Sequence, residues 1–169
     1  MQGKLQQVYR VSKELAQNSH FEGSLKLSQL PRLASLVIPD DAEIRLKFEF
    51  TARLFDHPSI SGHVETQLEL ECQRCLAPMV LPIVNDFELL IDASDEDVQA
   101  FQLDTVYSDD GYLDLYEVIE DELILALPLI SMHDDVTCNS YWQAEAAEPE
   151  LVVKKDNPFL VLKSLKEKT

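Results

Sequence analysis

The sequence is poor in glycine and cysteine, with four glycines and three cysteines in 169 residues. Three cysteines are too few for a disulfide framework, and their odd number indicates a reducing compartment. No apolar run approaches the roughly 20 residues that span a bilayer. The first residues also lack the continuous apolar stretch of a signal peptide. We therefore expect a cytoplasmic protein with no membrane partner, folded as a single domain over residues 1–169.

Catalytic motifs are also missing. The sequence contains no glycine-rich phosphate loop, no H-E-x-x-H motif and no recognisable Ser-His-Asp order. The acidic run Glu120–Glu122 lies in a predicted helix, where capping and a solvated face account for it. We therefore expect no enzymatic activity, no catalytic residues and no small-molecule substrate.

Basic residues are nearly absent from the middle of the chain. Residues 54–150 contain one, Arg74, against 23 Asp and Glu, whereas both ends are slightly basic. Phosphate contacts supply most non-specific nucleic-acid affinity, so this region disfavours extensive RNA binding. It favours a basic protein partner, although such charge also serves solubility alone.

Alternating apolar and polar residues predict three long β-strands, at about residues 43–55, 59–72 and 78–92. Their connections are short, so the strands form an antiparallel meander with one buried face. On the outer face, basic residues of the first strand oppose acids of the second, which favours cross-strand ion pairs.

The remaining elements complete an α+β fold. Helices are predicted near residues 114–127, with Asp114 as N-cap, and near 157–167. Short helices are also expected near the amino terminus, in RVSKELAQN and LSQLPRLASLV. The polar segments 93–111 and 134–156 are predicted to be loops.

The pair Cys72 and Cys75, in the stretch ECQRC, follows the second strand. Redox C-x-x-C pairs usually lie at a helix N-terminus near basic groups, whereas this pair follows a strand and has acidic neighbours. A turn between strands can instead supply two thiolates to zinc. His133 and Cys138, in MHDDVTC, would complete a Cys3His site. The alternatives are a zinc site, a redox pair and reduced thiols in a turn.

The last predicted helix, within a tail at residues 157–168, has an apolar side and a basic side. It suits docking onto a partner or RNA, or onto the protein's own sheet. The candidate contact residues are Lys154, Lys155, Phe159, Leu162, Lys163 and Lys166.

Three blocks of this sequence resemble the bacterial YceD family. They are LECQRCLAP (Leu70–Pro78), EDELILALP (Glu120–Pro128) and NPFLVLKSLK (Asn157–Lys166). The blocks occur in the family's order and spacing, and the resemblance covers about residues 40–168.

The resemblance implies a non-enzymatic role in the synthesis, processing or stability of large-subunit ribosomal RNA. It does not supply a mechanism or site residues. Combined with the charge distribution, it leads us to expect action through a basic ribosomal or assembly protein. The alternatives are direct binding of rRNA through the basic termini and an RNA-processing enzyme.

Overall fold

The computed structural model describes residues 5–39, 41–54 and 57–139. Contacts group the chain into two compact units, Met1–Asp134 and Asp135–Thr169. Of the second unit, only residues 135–139 are described. The expected single domain therefore stays a prediction, and the predicted tail helix near 157–167 lies outside the described residues, as does most of the loop 134–156.

The described residues form a mixed α+β fold of seven strands and four α-helices. In chain order the elements are β1 (Val8–Arg10), α1 (Val11–Gln17), β2 (His20–Lys26), α2 (Pro31–Ala34), β3 (Glu43–Leu54), β4 (His57–Glu71), β5 (Pro78–Ile91), α3 (Asp95–Phe101), β6 (Asp104–Val106), β7 (Tyr112–Asp114) and α4 (Leu115–Ala126). A 3-10 turn, Leu27–Gln29, joins β2 to α2. No helix in this part of the chain is long and apolar enough to cross a membrane.

The main sheet has the strand order β2-β3-β4-β5-β6, and a small second sheet pairs β1 with β7. All pairs are antiparallel except β5 with β6. The three long predicted strands are confirmed as β3, β4 and β5. The β4–β5 ladder keeps one register from Ser59↔Leu90 to Glu71↔Pro78.

Apolar and polar residues alternate along these strands, so the main sheet has one buried face and one ionic face. Ile44 and Phe50 of β3 are buried in the same core as Ile119 and Leu123 of α4. On the other face, Arg45 lies opposite Glu65 in the register, and the two pair at 2.9 Å. The predicted cross-strand ion pairing is confirmed.

The prediction that residues 93–111 form a loop is wrong, because α3 and β6 lie within this segment. Ser94 caps α3 by accepting a hydrogen bond from the Asp97 backbone N–H at 3.3 Å. The Asp97 carboxylate in turn accepts one from the Ser94 N–H at 3.2 Å. This capping box is visible in the sequence, but the acidic composition favoured a loop.

The helix predicted near residues 114–127 is confirmed as α4. The side chain of Asp114 accepts hydrogen bonds from the backbone N–H groups of Tyr116 and Glu117, as an N-cap does. The helix ends before Pro128. The residues that follow the helix lie against the turn between β4 and β5.

Candidate metal centre

The turn between β4 and β5 carries Cys72 and Cys75. The backbone N–H of Cys72 donates to the carbonyl of Ala77 at 3.0 Å, and that of Leu76 donates to the carbonyl of Cys72 at 2.8 Å. Leu76 has a left-handed φ of 59°, a conformation that costs a non-glycine residue about 1 kcal/mol. The chain thus turns tightly around the two thiols.

The segment after α4 lies against this turn. The backbone N–H of Gln73 donates to the Ser131 carbonyl at 2.8 Å. The backbone N–H of His133 donates to Cys72 Sγ at 3.4 Å. Sequence reasoning missed Gln73 and Ser131, because they contribute backbone groups and no side-chain pattern marks them.

The four predicted ligands come together. Cys75 Sγ and His133 Nδ1 lie 3.3 Å apart. The candidate ligand atoms of Cys72, Cys75, His133 and Cys138 all lie within 4.8 Å of one another. In a zinc tetrahedron with bonds of about 2.3 Å to sulfur, neighbouring sulfur atoms are about 3.8 Å apart. This set is therefore able to hold a metal ion after small side-chain adjustments.

The surroundings of Cys72 favour its thiolate. Burial acts to raise the pKa of this thiol, but the backbone N–H groups of Cys75, His133 and Arg74, helped by the Cys75 thiol, lower it to about 5. Metals bind cysteine as the thiolate. The backbone around the turn thus supplies the N–H donors that stabilise a metal-bound sulfur.

The geometry disfavours the redox alternative. All three cysteines are free thiols, and the C-x-x-C turn joins two strands, whereas redox pairs of this spacing start a helix. Cys72 is completely buried, which blocks direct attack on a disulfide of another protein. A metal held by four protein ligands would have no open position for substrate, so its role would be structural.

The acidic run Glu120–Glu122 of α4 has structural partners. The Glu120 carboxylate accepts a hydrogen bond from the Leu33 N–H at the start of α2. Asp121 pairs with Arg32 at 2.7 Å, and Glu122 accepts a hydrogen bond from Asn85 at 2.9 Å. The candidate contact residues of the tail, from Lys154 to Lys166, lie outside the described residues. Their roles remain predictions.

Comparison with known proteins assigns the chain to a family. The sequence profile of a family described as "Large ribosomal RNA subunit accumulation protein YceD" matches residues 60–166. The chain belongs to the YceD family. A protein of Haemophilus influenzae with the same description is 34% identical over 165 residues, covering 92% of each chain. No solved structure matches. All four candidate metal ligands lie within the part of the chain that matches YceD proteins.

Proposed function

We propose that this protein supports the accumulation of large-subunit ribosomal RNA as a non-catalytic cytoplasmic factor. Family membership carries the proposal, since the relative from Haemophilus influenzae bears that description. The Glu120 carboxylate accepts a hydrogen bond from the Leu33 N–H, and the Glu122 carboxylate accepts one from Asn85. These structural contacts support a role without catalysis.

Deleting the gene tests this proposal. We expect a lower ratio of large-subunit to small-subunit rRNA in the deletion strain, restored by a plasmid copy. An unchanged ratio under growth that demands rapid ribosome synthesis would refute it. For the enzymatic alternative, purified protein should cleave precursor rRNA in the presence of divalent metals.

The factor acts through a basic ribosomal or assembly protein. Residues 54–150 hold 23 acidic residues and only Arg74 as a base, and such a surface attracts cationic partners while repelling phosphate. In gradient sedimentation of lysate, we expect the protein to co-migrate with pre-ribosomal particles or free ribosomal proteins. Migration as a free chain at every salt concentration would contradict the proposal.

Direct rRNA binding is the second candidate, and the basic tail residues Lys154, Lys155, Lys163 and Lys166 favour it. Each phosphate contact steepens the fall of affinity with salt. A titration in rising salt should therefore compare the intact chain with one that lacks residues 154–169. A steep slope that the truncation flattens would favour RNA binding over a protein partner.

The Cys3His set binds one zinc ion as a structural metal. The short Cys75–His133 distance, the buried Cys72 and its N–H donors support three of the ligands. Cys138 supplies the fourth, since its sulfur belongs to the same close group. Zinc would link the residues after α4 to the β4–β5 turn. The order of this region would then depend on the bound metal.

Metal analysis of purified protein tests the zinc site. We expect one zinc per chain, and cobalt substitution should give thiolate charge-transfer bands. His133→Asn should lose the metal, whereas His63→Asn, a histidine paired with Asp86 on the polar sheet face, should keep it. Cys138→Ser tests the fourth ligand separately. Full zinc occupancy in both His133→Asn and Cys72→Ser would overturn the assignment.

A further inference from the structure

Among the described residues, the strand β5 has an open edge along most of its length. On one side β4 pairs with every residue from Pro78 to Leu90. On the other side β6 is its only partner within the described residues, and β6 pairs with Leu89–Ile91 alone. Residues 78–88 therefore form an edge strand, and such edges can pair with another chain.

The register shows which backbone groups face the open side. The carbonyl of Leu90 accepts a hydrogen bond from Thr105 Oγ1 at 3.2 Å, and the N–H of Asp92 donates to Val106. Both groups therefore point away from β4. Because the β4–β5 ladder has no register shift, the even-numbered residues Val80, Val84, Asp86 and Glu88 point the same way.

Both prolines of β5, Pro78 and Pro82, are also even-numbered. A proline has no N–H, so it is tolerated where that group would face an open edge. Pro82 thus leaves the ladder to β4 intact and removes one donor from the edge. Four donors remain for an added strand, on Val80, Val84, Asp86 and Glu88.

A cavity of about 320 Å³, lined mostly by residues with apolar side chains, lies beside this edge, between β5 and the residues around the end of α4. Its lining includes Met79, Leu81, Ile83, Ala126 and Ile130. Val80 and Val84, which alternate with these residues along β5, are about 60% exposed, and Val84 also lines the cavity. An added strand would place alternate side chains in the cavity and against these valines.

The charged residues of the elements beside the edge, β5, β6 and α4, are all acidic; the nearest basic group on the polar face, Arg45 of β3, is already paired with Glu65. No Lys or Arg occurs in β5, β6 or α4, whereas Asp86, Glu88 and Asp104 are exposed. Burial raises the pKa of the neighbouring Glu122; the Asn85 hydrogen bond opposes this, and nearby Asp104 and Asp121 add to it. A cationic side chain placed here would relieve the repulsion among these carboxylates.

We propose that the open edge of β5, residues 78–88, binds a basic protein partner by strand addition. The bound segment is extended and alternates apolar residues with Lys or Arg. The apolar side chains enter the cavity, and the cationic ones face the acids. This inference rests on the proposed function, since it locates the basic partner on the fold.

Peptide binding tests the edge. The probe is a fluorescein-labelled peptide of about ten residues, the length of the edge, that alternates valine and lysine. We expect Val84→Lys to weaken binding about tenfold or more through like-charge repulsion. The matched control is Val8→Lys, an exposed valine of β1, which should leave binding unchanged. The peptide should also slow hydrogen exchange at the amides of Val80, Val84 and Asp86.

Two further probes separate strand addition from general attraction. A peptide with N-methylated valines retains its charge but cannot make the same backbone bonds, so it should bind much more weakly. Equal binding of this peptide, or equal binding by Val84→Lys and Val8→Lys, would overturn strand addition. A labelled single-stranded RNA that binds the same edge and displaces the peptide would overturn the choice of a protein partner.

The two proposals fail in distinguishable ways. If deletion of the gene leaves the rRNA ratio unchanged, the proposed function fails whatever the peptide does. If deletion lowers the ratio, but Val84→Lys restores it fully and binds the peptide as Val8→Lys does, only strand addition fails.

Discussion

Glu120 of α4 caps the start of α2 by accepting a hydrogen bond from the backbone N–H of Arg32 at 2.6 Å. The same carboxylate accepts from the Leu33 N–H at 3.0 Å and from Arg32 Nε at 2.8 Å. It is buried, with 4% of its surface exposed. One acidic side chain thus satisfies helix N–H groups that α2 cannot satisfy itself.

Replacing this carboxylate should destabilise the fold. Glu120→Ala leaves the α2 N–H groups unsatisfied and removes one of the two acids that pair with Arg32. We expect a loss of about 3 kcal/mol in the free energy of unfolding, measured by urea denaturation. Glu117→Ala, on the exposed side of the same helix, should change it by less than about 0.5 kcal/mol. Equal effects of the two substitutions would contradict the capping role.

Gly62, in the middle of β4, has no room for a side chain. A Cβ at this position would lie 2.6 Å from Phe87 Cζ and 2.7 Å from the Lys47 carbonyl oxygen. Because that carbonyl belongs to the neighbouring strand, we expect Gly62→Ala to lower the free energy of unfolding by about 1–3 kcal/mol. At Gly23 the three atoms nearest to an added Cβ all belong to the Leu5 side chain, which can move, so the loss from Gly23→Ala should be smaller. Thermal unfolding of both variants would measure the difference.

The charge on Glu122 should cost stability at neutral pH. Its pKa is raised mainly by burial. A carboxyl with a higher pKa in the folded state makes the free energy of unfolding fall as pH rises from the ordinary pKa to the raised one, and the loss persists at higher pH. Glu122→Gln removes this charge and still offers Asn85 an acceptor.

We therefore expect Glu122→Gln to be more stable than the natural protein at neutral pH. The advantage should disappear below about pH 4, where both carboxyls are protonated. Urea denaturation at the two pH values checks this. A variant that is less stable at neutral pH would show that the ionised form of Glu122 stabilises the fold.

Metal-free protein should retain one thiolate in mildly acidic solution. The pKa of Cys72 falls from an ordinary value of 9.0 to about 5. Its contribution to stability is therefore complete above pH 9 and lost as the pH falls through about 5. Ultraviolet absorbance of the thiolate should show one group titrating near pH 5, and Cys72→Ser should remove it. Titration of every thiol near the ordinary value would contradict the effect of the N–H donors.

The sequence was sufficient to predict the elements whose burial is periodic. In β3, β4 and β5, every second residue faces the core, and this pattern is visible in the residues themselves. The clustering of Cys72, Cys75, His133 and Cys138 was also predictable, because cysteine is scarce and a zinc site requires particular residue types.

Other features depend on contacts between distant parts of the chain. The bond between Glu120 and the Arg32 N–H joins residues 88 positions apart, and no local pattern encodes it. The open edge of β5 follows from the shortness of β6, whose three residues lie in a segment that composition alone favours as a loop. Hydrophobic periodicity cannot detect so short a strand.

The outer half of the β4–β5 hairpin has little support from the rest of the sheet. The β3 ladder stops at Glu65, so residues 66–71 pair only with β5 among the described strands. Two further bonds reach them: the Ile38 N–H donates to the Glu69 carbonyl, and Thr66 Oγ1 donates to the Glu43 carbonyl. Two-stranded ribbons are marginally stable alone, and this one ends at Cys72. Local unfolding can therefore begin at this end while the five-stranded sheet stays intact. A metal ion held by the proposed Cys3His set would tie this end to the residues after α4 and so make its opening rarer.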